Sequence, residues 1–154
     1  MDAPPPIRPA DSRVDARFRY VSRIEVRFRD LDALGHVNHV VYLSYVEQAR
    51  TLYFQNVLGL TIPANWVIAR VTCDYALPLR FAEVVDVGWR LTRLGRASAE
   101  YELVLMRGAE VVASGGGALV HVDPDTGRAA PIPDEMRALA AAWDGLEPLS
   151  ARPG

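Results

Sequence analysis

The chain changes its hydrophobic period once, and that change organises everything after it. From Arg23 to Arg29 apolar and polar residues alternate, with Ile24, Val26 and Phe28 on one side and Arg23, Glu25, Arg27 and Arg29 on the other. Such alternation predicts a strand with one face on a core and one in solvent. Asp30 to Asn38 (DLDALGHVN) breaks the pattern; it is polar, contains Gly35 and reads as a loop. Asn38 suits the cap of a following helix. His39 to about Val57 carries Val40, Val41, Tyr42, Leu43, Tyr45, Val46, Ala49, Leu52, Tyr53, Phe54 and Val57. These fill more than one stripe, so the helix should be buried on most sides. Only Glu47, Gln48, Arg50, Gln55 and Asn56 offer a polar face, and Gly59 supplies a stop.

Four strands are predicted next, over Trp66–Leu77, Val84–Arg93, Ser98–Met106 and Val111–Val122, with hairpin turns at Leu94-Gly95-Arg96 and Arg107-Gly108-Ala109. Asp134 to Trp143 reads as a short closing helix, with Pro133 at its start and acidic residues in its first turn. The short links favour antiparallel neighbours. The expected fold is therefore α+β: five antiparallel strands curled round one long central helix, with a short C-terminal helix. Gly115-Gly116-Gly117 inside the last strand suggests a close approach, for which the helix is the obvious partner. Residues 1–19 read as a disordered arm, 20–146 as the domain and 147–154 as a flexible tail.

Composition narrows the function. At 154 residues, 50% hydrophobic and 23% charged, this is an ordinary single globular domain. A net charge of −2 and scattered arginines give no nucleic-acid surface. There is no signal-peptide pattern and no apolar run near the ~18 residues of a membrane span. The single cysteine, Cys73, lies in an apolar strand and reads as a packed thiol in a reducing cytoplasm. No metal-ligand spacing or dinucleotide loop occurs, so no cofactor is expected.

The chemistry concentrates in Asp30-Leu31-Asp32-Ala33-Leu34-Gly35-His36-Val37-Asn38-His39. Two acids and two histidines precede an apolar helix whose first N–H groups are unpaired and partially positive. A carbonyl oxygen placed there would be polarised, and a neighbouring carboxylate could attack it or activate a water. Gly35 would let the backbone come close to a ligand. An N-capping loop with exposed histidines is the plainer alternative.

Arg27 to Arg50, RFRDLDALGHVNHVVYLSYVEQAR, resembles the motif of the 4-hydroxybenzoyl-CoA thioesterase family of hotdog proteins. Asp30, Asp32, Gly35, His36, Val37, Asn38 and Tyr42 stand in its frame. Further similarities are Asp74-Tyr75, Pro78 with Phe81 and Glu83, Gly95-Arg96, Asp125-Thr126-Gly127 and Pro131 to Glu135. The resemblance implies a homodimer or homotetramer that hydrolyses an acyl-CoA. It implies Asp32 as nucleophile or general base and the amide at His39 as oxyanion donor. Some members carry a catalytic histidine seven residues after the aspartate, the place of His39 here. Gly35, Asn38 and Tyr42 become candidates for substrate contact, and Arg96 for the CoA phosphates. Glu47 is a reserve acid on the helix, and Asp30 is expected to fix the loop. A hydratase or dehydratase of the same fold, or a non-catalytic acyl-CoA binder, are the competing functions.

Overall fold

The computed structural model describes residues 5–61 and 64–147. Most of the expected C-terminal tail and the first four residues of the expected arm lie outside them. The elements are β1 (Val21–Glu25), a 3-10 turn (Phe28–Asp30), α1 (His39–Asn56), β2 (Trp66–Tyr75), β3 (Val84–Leu94), β4 (Ser98–Arg107), β5 (Glu110–His121) and α2 (Asp134–Asp144). The strands form one antiparallel sheet in the order β1-β3-β4-β5-β2.

The alternating positions of the strands build the core. Val85, Val87, Trp89 and Leu91 of β3, with Tyr101, Leu103 and Leu105 of β4, meet Tyr45, Val46, Ala49, Tyr53 and Phe54 of α1. Trp89 is fully enclosed, stacked on Tyr101 at 5.3 Å between centroids and packed on Tyr53 at 4.8 Å. α1 lies chiefly over β3 and β1. Glu47, Gln48, Gln55 and Asn56 are exposed, as the polar face expected of them, but the covering is less complete than the composition predicts, since Val40 is also exposed and Leu43 and Leu52 are only half-buried.

The first strand also ends earlier than its alternation predicts. β1 stops at Glu25 because the Val26 amide donates to the Glu83 carbonyl at 2.9 Å, and Ala82, left-handed at φ 63°, donates back to the Val26 carbonyl at 3.1 Å. Arg27 then folds onto Asp30. Phe28 consequently leaves the core side and is 77% exposed, with its ring edge-to-face against Phe81.

The three glycines of β5 are required by neighbouring strands rather than by the helix. A methyl on Gly115 would strike the Thr72 carbonyl, one on Gly116 the Tyr101 carbonyl, and one on Gly117 both the Arg70 carbonyl and the Tyr101 hydroxyl. β5 is squeezed between β2 and β4, so the close approach is within the sheet.

The segment expected to be a free arm is packed over residues 5–19. Ile7 pairs with Tyr20. The Arg8 guanidinium donates to the carbonyls of Ser12, Val14, Asp15 and Phe18, closing a loop round itself. Val14 and Phe18 are buried against Val21 and Met106. Little in the local sequence announces this, since the two apolar residues stand among polar ones and the surface they pack on, at Gly88 and Met106, is far along the chain.

Candidate active site

The loop before α1 is held from its ends. Asp30 is 3% exposed and accepts hydrogen bonds from the Tyr45 hydroxyl at 2.6 Å, the Arg27 guanidinium at 2.9 Å and the Arg27 amide at 3.0 Å. Burial alone would push its carboxyl up, but the bonds from Arg27 and Tyr45 outweigh it and hold Asp30 below the usual carboxylate range. Asp30 is thus a buried anchor. The Asn38 amide donates to the Asp30 carbonyl at 2.9 Å, and the Val37 amide to the Leu79 carbonyl at 2.8 Å.

Within that frame Asp32 closes a tight turn. Its Oδ1 accepts from the amides of Leu34 at 2.8 Å and His36 at 3.3 Å, and its own amide donates to the His36 carbonyl at 2.7 Å. Gly35 sits at φ 77°, and a side chain there would meet nothing within 4 Å. The glycine therefore answers a backbone demand. The carboxylate of Asp32 remains exposed.

Asn38 caps α1 as its position predicts: its Oδ1 accepts from the Val40 amide at 3.2 Å, and its carbonyl accepts from Val41 at 2.8 Å. Among the described residues the His39 N–H has no acceptor, so it is the open donor at the positive end of the helix. The His39 ring is exposed and packs edge-to-face on Tyr75 at 6.2 Å. Neither His36 nor His39 forms an ion pair with Asp32 among the described residues.

Asp32, His36, Val37, His39 and Tyr42 line one pocket of about 330 Å³, closed on the other side by Tyr75, Ala76, Leu77 and Pro78. Tyr42 is buried at its back, where its hydroxyl donates to the Leu77 carbonyl at 3.2 Å and accepts from the Leu79 amide at 3.1 Å. Its ring lies 5.1 Å from that of Tyr75, edge-to-face. Burial pushes both phenols up, so they are neutral donors near pH 7. Arg107 holds the same 76–83 segment from outside, donating to the Pro78 carbonyl at 3.1 Å and to Glu83 at 2.9 Å.

The structure thus gathers Asp32, His39 and Tyr42 round one space; Gly35 and Asn38 are not among its lining residues and serve the turn and the helix cap that lead to it. Glu47 lines a separate open depression with Ser44, Gln48, Thr51 and Leu52. Arg96 is exposed in the β3–β4 hairpin. That hairpin lies at the Trp66 end of the sheet, with β5 between it and β2, whereas the pocket uses the Tyr75 end of β2. Sequence reasoning assigned no site role to Tyr75; the signals were Asp74-Tyr75 among the family similarities and an aromatic at the end of an apolar strand, three residues before Pro78. Trp66 and Trp89 belong to the core around Phe54, away from the pocket lining. Among the described residues no group of three or more His, Cys, Asp or Glu could hold a metal, and no helix is long and apolar enough to cross a membrane.

Comparison with known proteins gives this geometry a family. A thioesterase of Thermus thermophilus, crystallised with coenzyme A and zinc, is 40% identical with a TM-score of 0.74, over 82% of this chain and 95% of that one. The gentisyl-coenzyme A thioesterase BH1999 is 27% identical with a TM-score of 0.69, over 79% of this chain and 98% of that one. The acyl-CoA thioesterase YbgC of Helicobacter pylori (strain ATCC 700392 / 26695) is 32% identical over 74 residues, 47% of this chain and 56% of that protein. The Thioesterase-like superfamily matches residues 26–139. With that match running from the head of the Asp32 loop into α2, the chain belongs to the Thioesterase-like superfamily.

Proposed function

We propose that this protein hydrolyses acyl-CoA thioesters, with Asp32 as the reacting carboxylate and the His39 N–H as oxyanion donor. The observation that carries the reading is their shared pocket: an exposed carboxylate beside an unpaired amide at the start of α1. The thioester carbonyl would sit with its oxygen toward the amide and its carbon toward Asp32. Asp32 then either attacks that carbon or takes a proton from an attacking water. As the tetrahedral centre forms, negative charge grows on the oxygen, and a fixed N–H at a helix end stabilises it more than it does the ground state. Collapse breaks the C–S bond and expels the CoA thiolate; the water route leaves the free acid directly, whereas attack by Asp32 leaves a mixed anhydride on its carboxyl that a water then hydrolyses to free acid and Asp32. The His39 imidazole, at the same mouth, is placed to hold the water or pass a proton. Tyr42 and Leu77 would bound the acyl group.

The active unit is proposed to be a homo-oligomer. β2 is an edge strand of 10 residues whose Val67, Ile68 and Val71 are each more than 40% exposed, which is the kind of edge that pairs with another strand. Antiparallel pairing of two such edges would lay the Tyr75 end of one β2 beside the Trp66 end of the other. The partner's Arg96 would then lie at the Asp32 end, some three strand spacings or ~15 Å away. That arrangement gives Arg96 a route to the CoA phosphates that a single protomer lacks.

The test is release of free CoA thiol from short, long, branched and aromatic acyl-CoAs by the parental protein and by Asp32→Ala. Release by the parent and its loss in the variant is the expected result. Tight acyl-CoA binding without thiol release, or hydration of an enoyl-CoA instead, would overturn the assignment.

A further inference from the structure

The pocket mouth contains a clamp on a single peptide group. Tyr75, at the last position of β2, donates its hydroxyl to the His39 carbonyl at 3.0 Å. That carbonyl and the Val40 N–H belong to the same peptide unit, and the Val40 N–H is taken by Asn38 Oδ1 at 3.2 Å. One peptide is therefore gripped at both ends by side chains from different elements. Immediately before it lies the Asn38–His39 peptide, whose carbonyl is engaged by Val41 and whose N–H is the open donor. The first turn of a helix frays readily, because its amides have no partners in the preceding turn. A donor that acts only after preorganisation loses its value if it wanders.

Tyr75 is 45% exposed, so packing alone does not explain its orientation. Its ring is edge-to-face with both His39 and Tyr42, and Tyr42 is itself tied to the Leu77 and Leu79 backbone. The phenol stands at the junction of the helix start and the 76–79 wall of the pocket.

We propose that Tyr75 is a positioning residue for the oxyanion-binding amide. It fixes the His39–Val40 peptide, and through it the direction of the His39 N–H, while its ring sets the His39 imidazole against the pocket wall. This rests on the thioesterase reading above. The phenol touches neither the carbonyl carbon nor the attacking group, so its effect falls on the transition state through another residue's amide.

Tyr75→Phe keeps the ring and both aromatic contacts and removes the hydroxyl, with its hydrogen bond to the His39 carbonyl and its polar contact with the Cys73 thiol. The expected outcome is a kcat about five- to tenfold lower, with KM within about twofold, since the lost bond is one of ordinary strength and acts when charge develops. The second measurement is amide hydrogen exchange on the same variant. Exchange at Val40 should quicken about fivefold, while β3 and β4 amides keep their parental rates. Either readout at its parental value overturns the proposal, as does faster exchange throughout the sheet, which would mark a merely structural role. Asp32→Asn alongside separates the two ideas. If the parent cleaves thioesters and Asp32→Asn does not, the function stands whatever Tyr75→Phe does. If the parent cleaves none, the function falls, and exchange at Val40 alone decides the clamp.

Discussion

Two aspartates sit by the two ends of α1, and their surroundings have made them opposites. Asp32, by the N-terminal end, accepts two backbone amides on one oxygen and keeps its carboxylate in solvent. Asp144, by the C-terminal end, is 8% exposed; its Oδ2 accepts from the Tyr53 hydroxyl at 2.6 Å and the Leu91 amide at 3.0 Å. Its Oδ1 is buried with no partner among the described residues. Burial pushes Asp144 up to about 6, against the pull of Tyr53 and Leu91 and the nearby Arg90 and Arg19. Each carboxylate receives two hydrogen bonds, so bond number does not separate them. Access to solvent does: one carboxylate is free to meet a substrate, and the other fastens α2 onto α1 and β3.

The sharpest way to break this contrast is Asp32→Asn. An amide oxygen can still accept from Leu34 and His36, so the turn should persist. Thiol release should fall by about 10³-fold, the scale of a lost acid–base or nucleophilic group. The melting temperature should move by no more than an ordinary surface change does. A large loss of stability would mean that Asp32 is structural after all.

Asp144→Ala should do the reverse. It strands the Tyr53 hydroxyl and the Leu91 amide in the core and should remove about 2–4 kcal/mol in a denaturant melt near pH 4, where the buried acid is protonated. Turnover per folded molecule at a permissive temperature should stay near the parental value. A selective loss of kcat would link the two ends of the helix in a way the geometry does not contain.

The same residue carries a pH signature. Because the folded value is raised from 3.8 to about 6, folding favours the protonated acid. Its contribution is complete below pH ~4 and is lost as pH climbs through ~6, on the order of 3 kcal/mol in all. Asp144→Asn, which cannot ionise, should therefore gain stability over the parent between those limits and hold the gain at pH 8. Parallel pH profiles for the two proteins would refute the buried-acid account. The smallest expected effect lies at Tyr42→Phe, which deprives Leu77 and Leu79 of a shared partner. It should lower stability by about 1 kcal/mol, with any change in thiol release falling on KM more than on kcat because the ring still bounds the pocket. Equilibrium melts and the thiol assay together would resolve it.

Much of this was legible in the sequence, for reasons that differ along the chain. Val85, Val87, Trp89 and Leu91 declare β3 because each answers to its local neighbours. Asn38 declares the helix start because capping is a three-residue affair. The Asp30–His39 loop stood out because acids, histidines and a glycine rarely crowd before an apolar helix. Phe28 was misplaced because the Val26–Glu83 and Ala82–Val26 bonds that end β1 come from the far side of the chain. The glycines of β5 signalled crowding, but only the register against Thr72 and Arg70 names the source. Tyr75 is invisible as a site residue until β2 and α1 share an end, and the distance of Arg96 from the pocket is a property of sheet order.

The N-terminal segment carries a consequence for how such a chain can change over evolutionary time. Gly88 has no side chain because Phe18 and Val14 occupy its place; a methyl there would come within 2.9 Å of both. Residue 88 and the stretch around 14–18 are thus a lock and its bolt, separated by most of a domain in sequence. A descendant that discards the bolt is free to fill position 88, whereas one that keeps it is bound to glycine. The history of that pair should be written as linked gains and losses rather than as independent drift.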